Sequence, residues 1–170
     1  MVLASKSIAR ADHTRIKDLQ MHLKVPPPIM TAISMMLMWL VATLVPQYAI
    51  DIPGKSVLAI VIAAMGFAIG LPAIRLFRHQ GTTVDPRYPD RSEALVVKGI
   101  YRYTRNPMYV GFAMLASAWM VWLGNPVNIA VLVGFIVYIT RFQIMPEEKA
   151  LAEKFGSDYA LYKESVRRWL

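Results

Sequence analysis

The 170-residue chain has no cysteine, which excludes a disulfide framework, thiolate chemistry and any cysteine-ligated metal. Histidine is almost as scarce: His13, His22 and His79 stand far apart, without metal-ligand spacing. Acidic residues number 11 against 19 Lys and Arg, leaving a net charge of +8. That balance can signal nucleic-acid binding, but the basic residues are placed in a way that suits topology instead. Residues 1–24 lack the apolar core and small-residue cleavage site of a signal peptide.

Apolar residues are abundant. They make up 56% of the chain, with a mean hydropathy of +0.40, whereas soluble domains sit at about 45–50%. The composition is that of an integral membrane protein. Four apolar stretches run over Pro28–Ile50, Ser56–Ile74, Met108–Leu123 and Val127–Thr140. The first two are long enough to cross a hydrocarbon core of about 30 Å at roughly 1.5 Å per residue. The third and fourth are shorter and are separated only by Gly124-Asn125-Pro126, as in a tight antiparallel hairpin with Pro126 in the first turn of its second helix.

Orientation follows from charge. Residues 1–24 carry five Lys or Arg, residues 75–105 seven and residues 141–170 six, whereas the loop after the first span has only Lys55. Four spans with every basic segment on one side satisfy the positive-inside rule, with both termini cytoplasmic. Residues 1–27 form a cytoplasmic leader. In it, Ile16, Leu19 and Leu23 can line a short interfacial helix, an ordinary charged leader being the alternative. Residues 28–170 read as one membrane-embedded domain with spans at about 28–50, 56–74, 108–123 and 127–145. The expected fold is all-α: four transmembrane helices, the last two a tight hairpin, and a cytoplasmic amphipathic C-terminal helix.

The polar connection Arg75–Asn106 is broken by Gly81, Pro86 and Pro89, and such long connections are more often functional than plain linkers. It leads into Gly-Ile-Tyr-Arg-Tyr-Thr-Arg-Asn-Pro-Met-Tyr-Val-Gly at 99–111. Pro107 suits the first turn of the third helix, with Asn106 or Thr104 as cap. The open N–H groups of that turn favour an anion. Gly111 permits close approach of a helix or of a flat ligand ring. In the tail, Leu151, Phe155, Tyr159, Tyr162 and Val166 share a helical face with Glu147, interrupted by Gly156. Glu148 lies about 100° around that helix. A carboxylate on the inward face requires a cationic partner.

These elements together resemble the integral-membrane methyltransferases of the isoprenylcysteine carboxyl methyltransferase family, and more distantly the phospholipid N-methyltransferases. The matching pieces are the Thr82–Pro86 loop, Leu95–Tyr101, Arg105–Gly111, the Gly124–Pro126 turn, Glu147-Glu148 and the spaced tail aromatics. The resemblance implies S-adenosylmethionine bound at the cytoplasmic face, within about residues 82–170, and a lipidic or amphiphilic small-molecule acceptor reaching it among membrane lipids. The cofactor contacts it implies are Glu93, Ala94, Leu95, Val96, Tyr101, Asn106, Pro107, Met108, Tyr109 and Glu147, to which Arg105 is added by its charge and Gly111 by the close approach it permits. Glu147 would pair the cofactor's ammonium, and Arg105 or the helix-start N–H groups its carboxylate. Arg141 and Glu148 are the catalytic candidates: Arg141 orients an anionic acceptor, and Glu148 or a tyrosine removes a proton where the acceptor is an amine or hydroxyl, a carboxylate needing no base. Two positions depart from the family's eukaryotic pattern: Asn106 replaces a histidine, and Gln143 replaces a substrate-associated arginine. The expected activity is therefore methyl transfer to an unnamed membrane-dissolved acceptor. The alternatives are an NADPH-dependent reductase of the sterol-reductase type and a non-catalytic scaffold.

Overall fold

The computed structural model describes residues 25–79 and 95–170. Residues 1–24 of the leader, the Thr82–Pro86 loop, Glu93 and Ala94 lie outside the described residues, and the leader's last residue, Pro27, already belongs to α1. Helix α1 runs Pro27–Leu44, α2 Lys55–His79, α3 Pro107–Leu123, α4 Asn128–Ile139 and α5 Met145–Ser165. Short 3-10 turns occupy Pro46–Tyr48 and Gly99–Arg102, and a π turn, Thr140–Ile144, joins α4 to α5. Among the described residues there is no strand. By length and composition, α1, Lys55–Leu76 of α2 and part of the Asn128–Ser165 run can each cross a membrane, and α3 is a shorter apolar helix. Their outward faces carry exposed Ile33, Met36, Leu40, Ile60, Val133 and Val137, as lipid-facing surfaces should. The chain is an all-α polytopic membrane protein.

The first helix stops six residues before the end of its apolar stretch. Pro46 cannot donate a helical hydrogen bond and disfavours helical geometry at Val45. The chain then turns and is tied to the hairpin: Ile50 N–H donates to Gly124 O (2.7 Å), and Asn125 Nδ2 to Val45 O (3.0 Å). Gly124 takes the left-handed conformation that closes α3 (φ 65°), where a side chain would also strike Ile50 O. Pro126 stays in the turn instead of entering the fourth helix. Asn125 Oδ1 accepts the Val127 N–H (3.1 Å), which delays the helix start to Asn128.

Helices α2 and α3 meet backbone to backbone. A Cβ added to Gly111 would lie 2.9 Å from Gly66 O and 3.1 Å from Gly70 Cα. Of the two possibilities open for Gly111, helix packing is the one observed. The fourth apolar stretch does not end at Thr140 but continues through the π turn into α5. Thr140 Oγ1 donates back to Ile136 O (2.7 Å), and the wider turn buries Gln143 and Ile144. Gly156 breaks α5 internally (φ 51°, ψ −120°), so the tail's apolar face is carried by two helical pieces.

Candidate active site

The start of α3 is built by residues on both sides of Pro107. Thr104 Oγ1 accepts the Asn106 N–H (3.2 Å) and so supports the turn before the helix. Asn106 makes no side-chain cap; its Nδ2 instead donates to Arg168 O (2.9 Å). Pro107, with no N–H to lose, is buried at the first helical position. Two residues on, Tyr109 reaches α5, its hydroxyl donating to Glu147 Oε1 (2.5 Å).

These residues form one wall of a cavity. Arg105, Asn106, Met108 and Tyr109 face Glu147, Glu148, Leu151, Tyr159 and Tyr162 of α5, while Leu95, Val96 and Tyr101 close the third side. Tyr162 Oη donates to Tyr101 O (2.8 Å), which ties the tail to the 3-10 turn before α3. Four tyrosine rings and three aliphatic side chains thus enclose two carboxylates and one guanidinium.

The two carboxylates are held differently. Glu148 accepts from Arg105 Nη2 (2.8 Å), Arg168 Nε (3.0 Å) and Arg168 Nη2 (2.7 Å). Burial alone would raise its pKa, but the hydrogen bond from Arg168 and the charges of both arginines outweigh this and hold it low. Glu147 lies beyond the apolar span, where the charged part of α5 begins, and has Tyr109 as its hydrogen-bond partner. Burial pushes its carboxyl up to about 8; the Tyr109 hydrogen bond opposes the rise, and the Glu148 charge adds to it. One acid is neutralised by cations and the other stands ready for one.

On the opposite wall, Arg105 is tied by Nη1 to Lys163 O (2.8 Å) and Val166 O (3.0 Å) and by Nη2 to Glu148. Its buried Nε has no acceptor among the described residues. The side chain is only 8% exposed, so this N–H calls for an anionic or carbonyl oxygen. A zwitterion with separated ammonium and carboxylate matches Glu147 and Arg105. No metal-holding cluster of His, Asp or Glu occurs among the described residues.

Of the expected cofactor residues, Leu95, Val96, Tyr101, Arg105, Asn106, Met108, Tyr109 and Glu147 are brought together here. Pro107 sits behind them, and Gly111 faces α2, where with Met108 it lines a separate apolar groove. Arg141 is exposed on the π turn and does not line the cavity. Glu148 does line it. The Glu147 carboxyl itself is the more closely surrounded of the two, but the residue surface of Glu148 is less exposed than that of Glu147, although its position around the helix suggested the reverse. The reason is that Arg105 and Arg168 wrap α5 on that side. Sequence reasoning missed Arg168 and Trp169. Leu151, Tyr159 and Tyr162 were legible only as an apolar face shared with Glu147, and their place in the cavity wall was not read from the sequence.

A family model described as phospholipid methyltransferase matches residues 55–158. The chain is also similar to an uncharacterised protein of Haemophilus influenzae, 44% identical over 63 residues, covering 37% of this chain and all of the other. Similarity extends to protein-S-isoprenylcysteine O-methyltransferase A of Arabidopsis thaliana, 39% identical over 80 residues (45% of this chain, 39% of the other). The Saccharomyces cerevisiae protein-S-isoprenylcysteine O-methyltransferase is 26% identical over 111 residues (65% and 46%). The chain therefore spans less than half the length of these two isoprenylcysteine methyltransferases. No solved structure matches.

Proposed function

The chain belongs to the phospholipid methyltransferase family, and from that premise we propose that it transfers a methyl group from S-adenosylmethionine to a membrane-dissolved or amphiphilic acceptor. The observation that carries this reading is the pairing, across one tyrosine-lined cavity, of a raised carboxyl at Glu147 with the unsatisfied Nε of Arg105. Those groups fit the ammonium and carboxylate of the cofactor's amino-acid end. Leu95, Val96, Leu151 and the rings of Tyr101 and Tyr159 offer apolar and aromatic surface for its nucleoside. The rings also suit a cationic sulfonium.

The cofactor supplies an electrophilic methyl on an already activated sulfonium. The chain's own contribution is alignment and water exclusion. Glu147 gives up its proton to become the anionic partner, Tyr109 holds that carboxylate in place, and Arg105 is fixed by three further hydrogen bonds. Glu148, charge-paired to two arginines, is a poor base, so we assign it to holding Arg105 in place of proton removal. Arg141, outside the cavity, remains suited to orienting an anionic acceptor at the membrane surface. The asymmetry of basic residues supports a cytoplasmic site with both termini on that side. The relatives named as isoprenylcysteine O-methyltransferases favour a lipid-bearing acceptor.

Calorimetric titration of the full chain in detergent, with S-adenosylmethionine and separately with NADPH, tests the proposal. Binding of the first alone is expected. A folded sample that binds only NADPH would mark a reductase, and one that binds neither would mark a scaffold; each outcome overturns the reading.

A further inference from the structure

The residues after α5 do not trail away. Val166 is extended (φ −130°, ψ 135°), and the chain beyond it folds back across the start of α3. Arg105 N–H donates to Arg167 O (2.9 Å), while Thr104 Oγ1 (3.3 Å) and Asn106 Nδ2 (2.9 Å) both donate to Arg168 O. Three consecutive residues at the cavity's edge are therefore held by two carbonyls of this strap. The Arg168 side chain reaches back to Glu148, and Trp169 inserts on the far side. Its ring packs on the cluster of Tyr109, Phe135, Ile139 and Ile144, and its Nε1 donates to Thr140 Oγ1 (3.3 Å) on the π turn.

A strand of backbone acceptors is only as fixed as its ends. One end leaves α5, and Trp169 is the deepest anchor of the other, set between Thr140 and the cluster that contains Tyr109. We propose that Trp169 is a positioning residue for the cofactor cavity: by seating the strap it fixes Arg105 and Asn106 at one end and Tyr109 with its partner Glu147 at the other. The inference rests on the methyltransferase reading for its ligand, but not for its mechanics. Without the indole, that end of the strap keeps only the Arg168–Glu148 pair and its own carbonyl bonds, and the polar groups of the cavity edge lose their apolar anchor.

The test uses the full chain in detergent with Trp169→Ala and Trp169→Phe, the second keeping a ring but not the indole N–H. Two readouts are taken: S-adenosylmethionine affinity by calorimetry, and amide hydrogen exchange without ligand. Trp169→Ala is expected to weaken binding roughly tenfold or more, with exchange accelerated at 104–110 but not in the Gly66–Gly70 turn of α2. Trp169→Phe should recover most of the affinity. Unchanged exchange at 104–110 in Trp169→Ala would overturn the inference, as would acceleration spread equally over α2, which marks general destabilisation. If Trp169→Ala does not fold, Thr140→Val, which removes the indole's acceptor, is the second variant. Exchange confined to 104–110 would then support the proposal, and no local change would refute it. Because exchange needs no ligand, an unmodified chain that fails to bind S-adenosylmethionine refutes the function alone, and the exchange comparison still decides the positioning role.

Discussion

Glu148→Gln separates a structural acid from a catalytic one. The substitution keeps size and shape but places an amide where three guanidinium N–H groups converge at 2.7–3.0 Å. One amide oxygen can serve one arginine; the amide nitrogen then faces a second donor. Breaking a buried ion pair costs about 3–5 kcal/mol. Here the cost is uneven, because the Arg168 side chain is 35% exposed and can return to water, whereas Arg105 is 8% exposed and cannot. Discounting the Arg168 share toward the surface value of about 0–1 kcal/mol leaves a loss of about 2–4 kcal/mol. Denaturant unfolding in detergent at neutral pH measures it. The pH dependence gives a second check. A carboxyl held below its ordinary value contributes stability that is present above the unfolded pKa and lost as pH falls through the folded one. The unmodified chain should therefore lose stability in acid, and Glu148→Gln should flatten that loss. If the variant keeps stability within about 0.5 kcal/mol and full cofactor affinity while turnover collapses, the reasoning fails and Glu148 is catalytic.

Other outcomes are expected at other positions. Glu147→Gln should weaken S-adenosylmethionine binding more than tenfold, since the amide cannot pair an ammonium. With a carboxyl at about 8, Glu147 is mostly protonated at pH 7, and pairing lowers its pKa. Binding should then release roughly 0.9 of a proton at pH 7, read by calorimetry in buffers of different ionisation enthalpy, and affinity should rise up to about pH 8. Gly111→Val should destabilise by at least about 1–3 kcal/mol, because its Cβ meets the backbone of α2. Gly134→Ala, where nothing lies within 4 Å, should be neutral or slightly stabilising in the same unfolding assay.

Much of the helical layout was legible because hydropathy and punctuation agree. Pro107 and Gly124 bound α3, and the observed start and end differ from the apolar stretch by one residue at most. The misses come from hydrogen bonds that hydropathy does not register, some local and some made far along the chain. Asn125 delays α4 through its own side chain, and the wider π turn at Thr140 carries an apolar helix into a charged one without a stop signal. A partner for Glu147 was foreseeable, since an inward carboxylate needs one, but the expected partner was a cation and the one found in the chain is the neutral Tyr109 hydroxyl. Tyr109 and Glu147 are joined across 38 residues, and only the hairpin brings them together. The strap was least legible. Its work is done by the carbonyls of Arg167 and Arg168, which every residue carries and no motif advertises.

The contact of Gly66 and Gly70 with Gly111 has a mechanical consequence. At these three glycines the seam has no side chain of its own to reshuffle, and Gly66 is also closed in by Met114 Cβ, so α2 and α3 have little room there to yield by small repacking steps. They act as a fixed jaw. The opposing wall is built differently: α5 is broken at Gly156 and sits on a π turn. On the proposed function, room for a guest would have to come from the α5 wall, which also carries Glu147, and not from the α2–α3 seam.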